Sequence, residues 1–331
     1  MQFLFWLTDL CRFGCLSSAA YLFKYFARAL HIFLSFYRKE RSLEDAIELF
    51  DKCHYRCTNP NGTSFMVETY LGQQKECSER PFVIVLSGGN FISTDNVSSR
   101  VTAGLLKDSN AIVFCYHYTC VLQGGSINTM IEDGKYLIRL IQRKSILHNI
   151  DAENYALVGF SAGAYLASMI PHSLKKACLP APNILLLSSS VFDIEDAFEI
   201  LKLDWYKPLV ETCAVLFFLL LIDSPLIFKI QEFEEKLSSL NASEYLLAAD
   251  LSGVFIEHCK SDPECPIRIT RCLVNCLIDQ GIQVTFKETE YPRDADAAHV
   301  GLFKRGSLST YGISPWYADD AMLYLRSRLG L

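Results

Sequence analysis

The chain has 331 residues, half of them hydrophobic, with a net charge of −6 at pH 7 and a pI near 5.7. A chain of this length can bury one large core, and an acidic balance without a long basic block argues against a nucleic-acid-binding protein. Its thirteen cysteines lack the paired spacing of a small secreted scaffold. We expect mostly reduced thiols and therefore a reducing compartment, with no metal and no cofactor. Three Cys-x-x-x-Cys pairs leave a zinc site as the alternative.

The first part of the chain, residues 1–45, is predicted to be a separate apolar, amphipathic helical segment. Four charged residues interrupt the apolar stretch 1–37, so no charge-free run reaches the roughly 20 residues that span a bilayer. On a helical wheel, Lys24, Arg28 and His31 fall on one narrow polar stripe. Three interpretations remain open: a helix at or in a membrane, a helix docked on the protein's own core or substrate entrance, and a signal segment. The first predicts a membrane-associated protein and the second a cytoplasmic one.

Residues 46–331 are predicted to form one domain in which strands alternate with helices. Most predicted strands are short apolar runs of the kind buried on both faces of a parallel sheet. Between the third and fourth strands, Met130, Gly134, Leu137 and Ile141 repeat at helical spacing. This alternation predicts an α/β protein with a doubly wound, mostly parallel sheet. The predicted strands are 64–70, 82–87, 111–117, 154–159, 183–189, 253–258 and 283–289.

One interval, at about 192–248, contains no convincing strand and interrupts the alternation. It includes the run CAVLFFLLLI at 213–222, which is too short to cross a membrane alone. We expect a helical insertion that caps a binding crevice, with the apolar run lining an acyl pocket or touching lipid. A buried core helix within that cap is the alternative.

The segment ALVGFSAGAYLASMI contains the motif Gly159-Phe160-Ser161-Ala162-Gly163. An apolar strand precedes the motif and a helical pattern follows it, so Ser161 is predicted to lie in a very tight strand-to-helix turn. The flanking glycines are needed because a side chain there would collide with the neighbouring strand or helix. This context predicts Ser161 as a catalytic nucleophile.

A nucleophilic serine needs a histidine to accept its proton. Three histidines follow Ser161: His172 at the far end of the next helix, His258 at the end of an apolar strand, and His299 in a loop after the last predicted strand. The helix places His172 out of reach, and the position of His258 is typical of a packed residue. His299 is therefore the predicted general base.

The histidine in turn needs a carboxylate that fixes its tautomer and stabilises the imidazolium. Asp262 follows the strand 253–258 in the stretch VFIEHCKSDPECP, where two prolines end regular structure. A carboxylate in this loop can reach the His299 loop, so Asp262 is the predicted acid. The competing carboxylates are Glu257, Glu264, Asp294 and Asp296.

Acyl transfer also needs donors for the developing oxyanion. The stretch VIVLSGGNFI leaves a strand and enters a glycine pair, where backbone N–H groups can approach a ligand closely. We predict an oxyanion hole from Gly88, Gly89 and Asn90 together with Ala162, the residue after the nucleophile. A plain tight turn is the alternative.

These motifs resemble those of the α/β-hydrolase fold, in particular the hormone-sensitive-lipase-like and acetyl-xylan/feruloyl esterase branches, over roughly residues 60–331. The resemblance lies in LSGGNF, VGFSAGAYLAS, CKSDPECP and AAHVGLF. Ser87 and Asn90 depart from the His-Gly-Gly-Gly pattern of such esterases, and both lie beside the predicted oxyanion hole.

The resemblance implies acylation of Ser161, loss of an alcohol, and hydrolysis by water activated through His299. Together with the apolar N-terminal segment, it predicts a serine hydrolase acting on a small-molecule or lipid ester, with residues 1–37 at a membrane surface. An amidase or peptidase, an arylformamidase, and a non-catalytic binding protein on this fold are the alternatives.

Overall fold

The computed structural model describes residues 52–72, 79–92, 94, 96–190, 192–193, 235–236, 238–249, 251–262, 265–290 and 315–331. Within these residues, one sheet of eight strands has the order β1-β2-β4-β3-β5-β6-β7-β8. The strands are β1 (Lys52–Thr58), β2 (Ser64–Leu71), β3 (Arg80–Leu86), β4 (Ile112–His117), β5 (Ile150–Phe160), β6 (Ile184–Ser188), β7 (Val254–Cys259) and β8 (Val284–Thr289).

The six strands from β4 to β8 in this order pair in parallel, whereas β2 pairs antiparallel with both β1 and β4. The mostly parallel sheet and all seven predicted strands are thus confirmed. β1 is an additional strand, and its sequence KCHYRCT contains no apolar run. It lies at the edge of the sheet with exposed side chains at His54, Tyr55 and Arg56, so burial does not demand a hydrophobic pattern there.

Helices cover both faces of the sheet, which confirms the doubly wound architecture. One hydrophobic core lies between the sheet and α2, α3, α4 and α5, and a second lies between the opposite face and α1 and α6. The helices are α1 (Asn96–Leu105), α2 (Ile127–His148), α3 (Ala162–Lys176), α4 (Ala242–Leu247), α5 (Ile267–Asp279) and α6 (Pro315–Leu329).

The predicted apolar face of α2 is confirmed, because Met130, Gly134, Leu137 and Ile141 are all buried. The helix begins after the N-cap residue Ser126, which exchanges hydrogen bonds with Thr129 in a capping box. The predicted segment 1–45 and the apolar run 213–222 lie outside the described residues.

A buried charged cluster on β2 joins the edge of the sheet to α1. Glu68 is only 3% exposed; it accepts a 2.7 Å hydrogen bond from the Tyr70 hydroxyl and pairs with Arg100 at 3.4 Å. Burial alone would raise the pKa of Glu68, but hydrogen bonds from His117 and Tyr70 and the charge of Arg100 hold this pKa well below its usual range. Glu68 is therefore an ionised group that α1 and the sheet share.

Candidate active site

Ser161 occupies the single residue between the end of β5 and the start of α3. Its backbone angles, φ 51° and ψ −122°, lie in a region that residues with a side chain rarely adopt. The Ser161 amide donates a 2.9 Å hydrogen bond to the carbonyl of Ser188 at the end of β6. The predicted tight strand-to-helix turn is therefore present, and it stores backbone strain at one serine.

Two glycines allow this turn for the steric reason that the sequence indicates. A Cβ added to Gly159 would lie 2.5 Å from the Cα of Ala164, and one added to Gly163 would lie 2.2 Å from the carbonyl oxygen of Leu86. Real Cβ atoms essentially never make contacts this short. Any residue but glycine at either position would push α3 away from the sheet.

The predicted oxyanion loop leaves the carboxyl end of β3 directly beside Ser161. A Cβ on Gly88 would lie 3.2 Å from the Cβ of Ser161 and 3.3 Å from the carbonyl oxygen of Phe160, so the loop and the serine turn are in close contact. Gly89, Asn90 and Phe91 then follow with φ values of 127°, 52° and 59°, and the amide of Ile92 donates to the Gly89 carbonyl at 3.0 Å. Three consecutive positive φ values turn the backbone sharply back on itself next to the serine.

The side chain of Phe91 holds this strained loop in place. Its ring packs edge-on against the ring of Tyr165, one turn into α3, at a centroid distance of 5.7 Å. The Phe91 carbonyl also accepts a 2.9 Å hydrogen bond from the Val121 amide. Tyr165 is itself tied at 2.6 Å through its hydroxyl to the carbonyl of Leu240. Helix α3 and the loop are thus fixed to each other by packing.

The amide of Ala162 completes the set of candidate oxyanion donors. It is the first residue of α3, where N–H groups have no carbonyl four residues earlier in the helix. The helical hydrogen bonds begin with the amides of Ala164 and Tyr165, which both donate to the Ser161 carbonyl. The positive end of the α3 dipole therefore points towards the turn that carries Ser161.

Asp262 lies in a turn immediately after the carboxyl end of β7. Its amide donates to the Cys259 carbonyl at 3.2 Å, and its Oδ1 accepts a 2.9 Å hydrogen bond from the Cys265 amide. The side chain is fully buried, and Oδ2 lies 3.4 Å from Nε2 of His258. The backbone thus holds one carboxylate oxygen in a defined place.

The other predicted alternatives occupy different places. Glu257 is also buried, at 2% exposure, but it alternates with His258 along β7 and so points towards the opposite face of the sheet. The ring of His172 lies in α3 against the Tyr245 ring at 5.0 Å. Burial lowers the pKa of His172, and nearby lysines lower it further.

The predicted base, His299, lies outside the described residues, as do Glu264, Asp294 and Asp296. The described part brings Ser161, the loop at Gly88 and Asp262 to one edge of the sheet, because β3, β5 and β7 run parallel and each ends there. β8 pairs in parallel with β7 and ends at the same edge. Residues 291–314, which contain His299, connect that end of β8 to α6.

Sequence reasoning overlooked two residues near this site. His258 was predicted to be a packed residue, and it is buried, but it also contacts Asp262. Tyr165 belongs to the helical pattern that follows the motif, and nothing in that pattern indicates its contact with Phe91. The spacing His-x-x-x-Asp at the end of a strand is a signal that could have linked His258 to the acid.

Among the described residues, no group of three or more His, Cys, Asp or Glu side chains could hold a metal ion. Eight cysteines in the described part of the chain are free thiols: Cys57, Cys115, Cys120, Cys178, Cys259, Cys265, Cys272 and Cys276. No helix within the described ranges is long and apolar enough to cross a membrane.

Part of the chain is similar in sequence to a known protein family. Residues 67–205 match the model of the BD-FAE family, which groups esterase-like α/β hydrolases. No curated protein sequence matches the chain significantly.

Several solved structures of esterases are similar in fold to this chain over most of its residues. Esterase B from Lactobacillus rhamnosis has a TM-score of 0.63 at 14% identity, with 91% of this chain and 96% of that chain covered. A carboxylesterase from Lactobacillus plantarum has a TM-score of 0.61 at 15% identity, covering 84% and 96%. A match to fungal esterases from Rhizomucor miehei has a TM-score of 0.62 at 17% identity, covering 88% of each chain. Together with the parallel sheet and the strained serine turn, these likenesses identify the chain as an α/β-hydrolase-fold protein.

Proposed function

We propose that the chain is a serine hydrolase that cleaves carboxylic esters through an acyl-enzyme on Ser161. The observation that carries this proposal is the strained backbone of Ser161 beside the loop at Gly88. A serine held in this way between a strand and a helix presents its hydroxyl at the sheet edge. The family match and the esterase neighbours support the same reaction class.

In the proposed mechanism, the Ser161 hydroxyl attacks the ester carbonyl carbon while His299 accepts the hydroxyl proton. The carbonyl oxygen becomes an oxyanion, and the amides of Ala162 and Gly89, with Asn90 beside them, donate hydrogen bonds to it. His299 then gives its proton to the departing alcohol, which leaves an acyl group on Ser161. A water molecule, deprotonated by His299, hydrolyses this acyl group and restores the serine. Asp262 stays ionised and orients the histidine.

A fluorophosphonate probe tests the nucleophile directly, because it reacts only with an activated serine. We expect labelling of the wild type and none of Ser161→Ala. Asp262→Asn and His299→Ala should each lower kcat by about 10⁴-fold. Glu257→Gln is the matched control for Asp262, since it neutralises a buried carboxylate on β7, the strand that precedes Asp262. A larger loss in Glu257→Gln than in Asp262→Asn would transfer the acid role to Glu257.

We further propose that the substrate is a hydrophobic, lipid-like ester. The apolar composition of residues 1–37 and of 213–222 supports this choice. A panel of p-nitrophenyl esters from acetyl to palmitoyl should then give the highest kcat/KM for longer acyl chains. Activity on the acetyl ester alone would contradict the proposal. The kcat/KM for matched amide substrates, compared with that for the esters, separates an esterase from an amidase. Failure of the fluorophosphonate probe to label the wild type would favour a binding protein.

An exposed apolar pair on α2 supports contact with a membrane surface. Ile146 is 94% exposed and Leu147 is 82% exposed, and the preceding residues Arg143 and Lys144 are exposed as well. Apolar side chains next to cations are typical of surfaces that bind anionic lipid. The pair lies at the amino edge of the sheet, where β1 also starts.

Tryptophan fluorescence tests this contact in the full chain. When vesicles of phosphatidylserine and brominated phosphatidylcholine are added, the tryptophan fluorescence of a Leu147→Trp variant should be quenched more than that of the wild type. Leu323→Trp is the matched control, because Leu323 is 64% exposed on α6, across the sheet. A tryptophan at position 147 that is quenched no more than one at position 323 would contradict the proposal.

A further inference from the structure

His258 connects the predicted acid to the hydrophobic core through both of its ring nitrogens. The ring is fully buried at the end of β7. Its Nδ1 lies 2.7 Å from the hydroxyl of Thr270 on α5, and its Nε2 lies 2.7 Å from the carbonyl oxygen of Cys265. The same Nε2 lies 3.4 Å from Oδ2 of Asp262.

The chemistry of these partners determines where the His258 proton lies. A carbonyl oxygen can only accept a hydrogen bond, so Nε2 of His258 must carry a hydrogen and donate it to Cys265. Oδ2 of Asp262 lies close to the same N–H group. The Nδ1 atom faces the Thr270 hydroxyl, which can donate or accept a hydrogen bond. The Nε2–H group therefore donates to the backbone of the acid loop and lies within ion-pair distance of the Asp262 carboxylate.

The acid loop is held from two sides as a result. The Cys265 amide donates to Oδ1 of Asp262, and the Cys265 carbonyl accepts from His258. Removal of the imidazole N–H would remove the hydrogen bond to the Cys265 carbonyl and the close contact with Oδ2 of Asp262. The Asp262 carboxylate would then be held less firmly, because the Cys265 backbone that holds its Oδ1 loses its contact with β7.

We infer that His258 is a positioning residue, which orients the Asp262 carboxylate towards the catalytic histidine. The inference rests on the proposed function and adds to it a residue that never touches the substrate. Partners that orient a functional side chain typically contribute about 10–100-fold to activity. The loss should fall on kcat and leave KM nearly unchanged, because no contact with bound substrate is removed.

Substitutions at His258 separate the donor from the rest of the ring. In His258→Gln, the amide nitrogen replaces Nε2, so the donor to Cys265 and Asp262 is retained. In His258→Asn, the shorter amide can reach Thr270 only, and in His258→Met no donor remains. We expect kcat of the Asn and Met variants to fall by about 10–100-fold, and that of the Gln variant to stay within about threefold of wild type.

A double-mutant cycle with Asp262→Asn tests whether His258 acts through the acid. In the Asp262→Asn background, a His258 substitution should lower kcat by less than about threefold, because the interaction between the two residues is already lost. Ser109→Ala is the control for general destabilisation. Its hydroxyl donates a buried 2.6 Å hydrogen bond to the Leu106 carbonyl, at the opposite edge of the sheet, so the variant should lose stability and keep kcat.

The outcomes divide clearly. Wild-type kcat in the Asn and Met variants, an additive cycle, or a matching loss of kcat in Ser109→Ala would overturn the inference and leave the proposed function intact. Failure of both the Asn and the Met variants to fold would also overturn it, because His258 would then be needed for folding alone. A wild-type protein that the fluorophosphonate probe does not label overturns both the inference and the proposed function.

Discussion

Replacing Gly163 by alanine should separate α3 from the sheet, because this position has no room for even one methyl group. The added Cβ would meet two backbone oxygens, that of Leu86 at 2.2 Å and that of Ser87 at 2.5 Å. Ordinary contacts begin at 3.4 Å, so helix and strand must move apart by about 1 Å. Neither neighbour is a flexible side chain that could rotate away.

The size of the effect follows from this rigid contact. Overpacking a well-packed core costs about 1–3 kcal/mol, and the backbone contacts at Gly163 place the expected loss at the upper end, about 3 kcal/mol. The same shift displaces Ser161 from the loop at Gly88. A displacement of about 1 Å in a catalytic site can cost about 100-fold in rate.

Urea denaturation followed by circular dichroism measures the first effect, and the rate of fluorophosphonate labelling measures the second. Gly104→Ala is the matched control, since Gly104 lies within α1 and has no atom within 4 Å of an added Cβ. That control should gain about 0.5–1 kcal/mol through higher helix propensity. A Gly163→Ala protein that unfolds at the wild-type urea concentration would refute the reasoning.

Three further predictions concern other described residues. Glu68→Gln should lower the free energy of unfolding at pH 7 by about 3 kcal/mol, because it breaks a buried ion pair with Arg100. The pKa of Glu68 is depressed in the folded state, so this contribution exists above the unfolded pKa of about 4.3 and is lost as pH falls towards the folded one. The stability difference between wild type and variant should therefore narrow below about pH 4, and a constant difference would contradict this origin. Tyr165→Phe removes the 2.6 Å hydrogen bond to Leu240 and should cost about 1 kcal/mol in urea melts; an unchanged midpoint would argue against it. Burial raises the pKa of the Cys120 thiol to about 11, so mass spectrometry after brief iodoacetamide treatment at pH 8 should find this thiol unmodified in the native protein. Early modification of Cys120 would contradict its burial, whereas the exposed thiols that should react are Cys178, Cys272 and Cys276.

Local patterns in the sequence were sufficient for most of the sheet and for the turn at Ser161. Strands buried on both faces need continuous apolar runs, and the fully buried β3 shows why such runs are easy to recognise. Glycine is required at positions 159 and 163 because a Cβ there would collide with backbone atoms, and the motif itself indicates this requirement. β1 was not predicted because its exposed position at the edge of the sheet requires no hydrophobic pattern in the sequence.

Tertiary structure decided the contacts between residues that are far apart in the chain. The packing of Phe91 on Tyr165 depends on how β3 and α3 are placed, and the contact of His258 with Thr270 depends on how α5 covers β7. Sequence alone predicted Ser161, Asp262 and His299 as one set from their types and order, and the meeting of His299 with the other two remains a prediction. Spacing along a chain specifies which elements form, whereas the distances between side chains arise only when those elements pack.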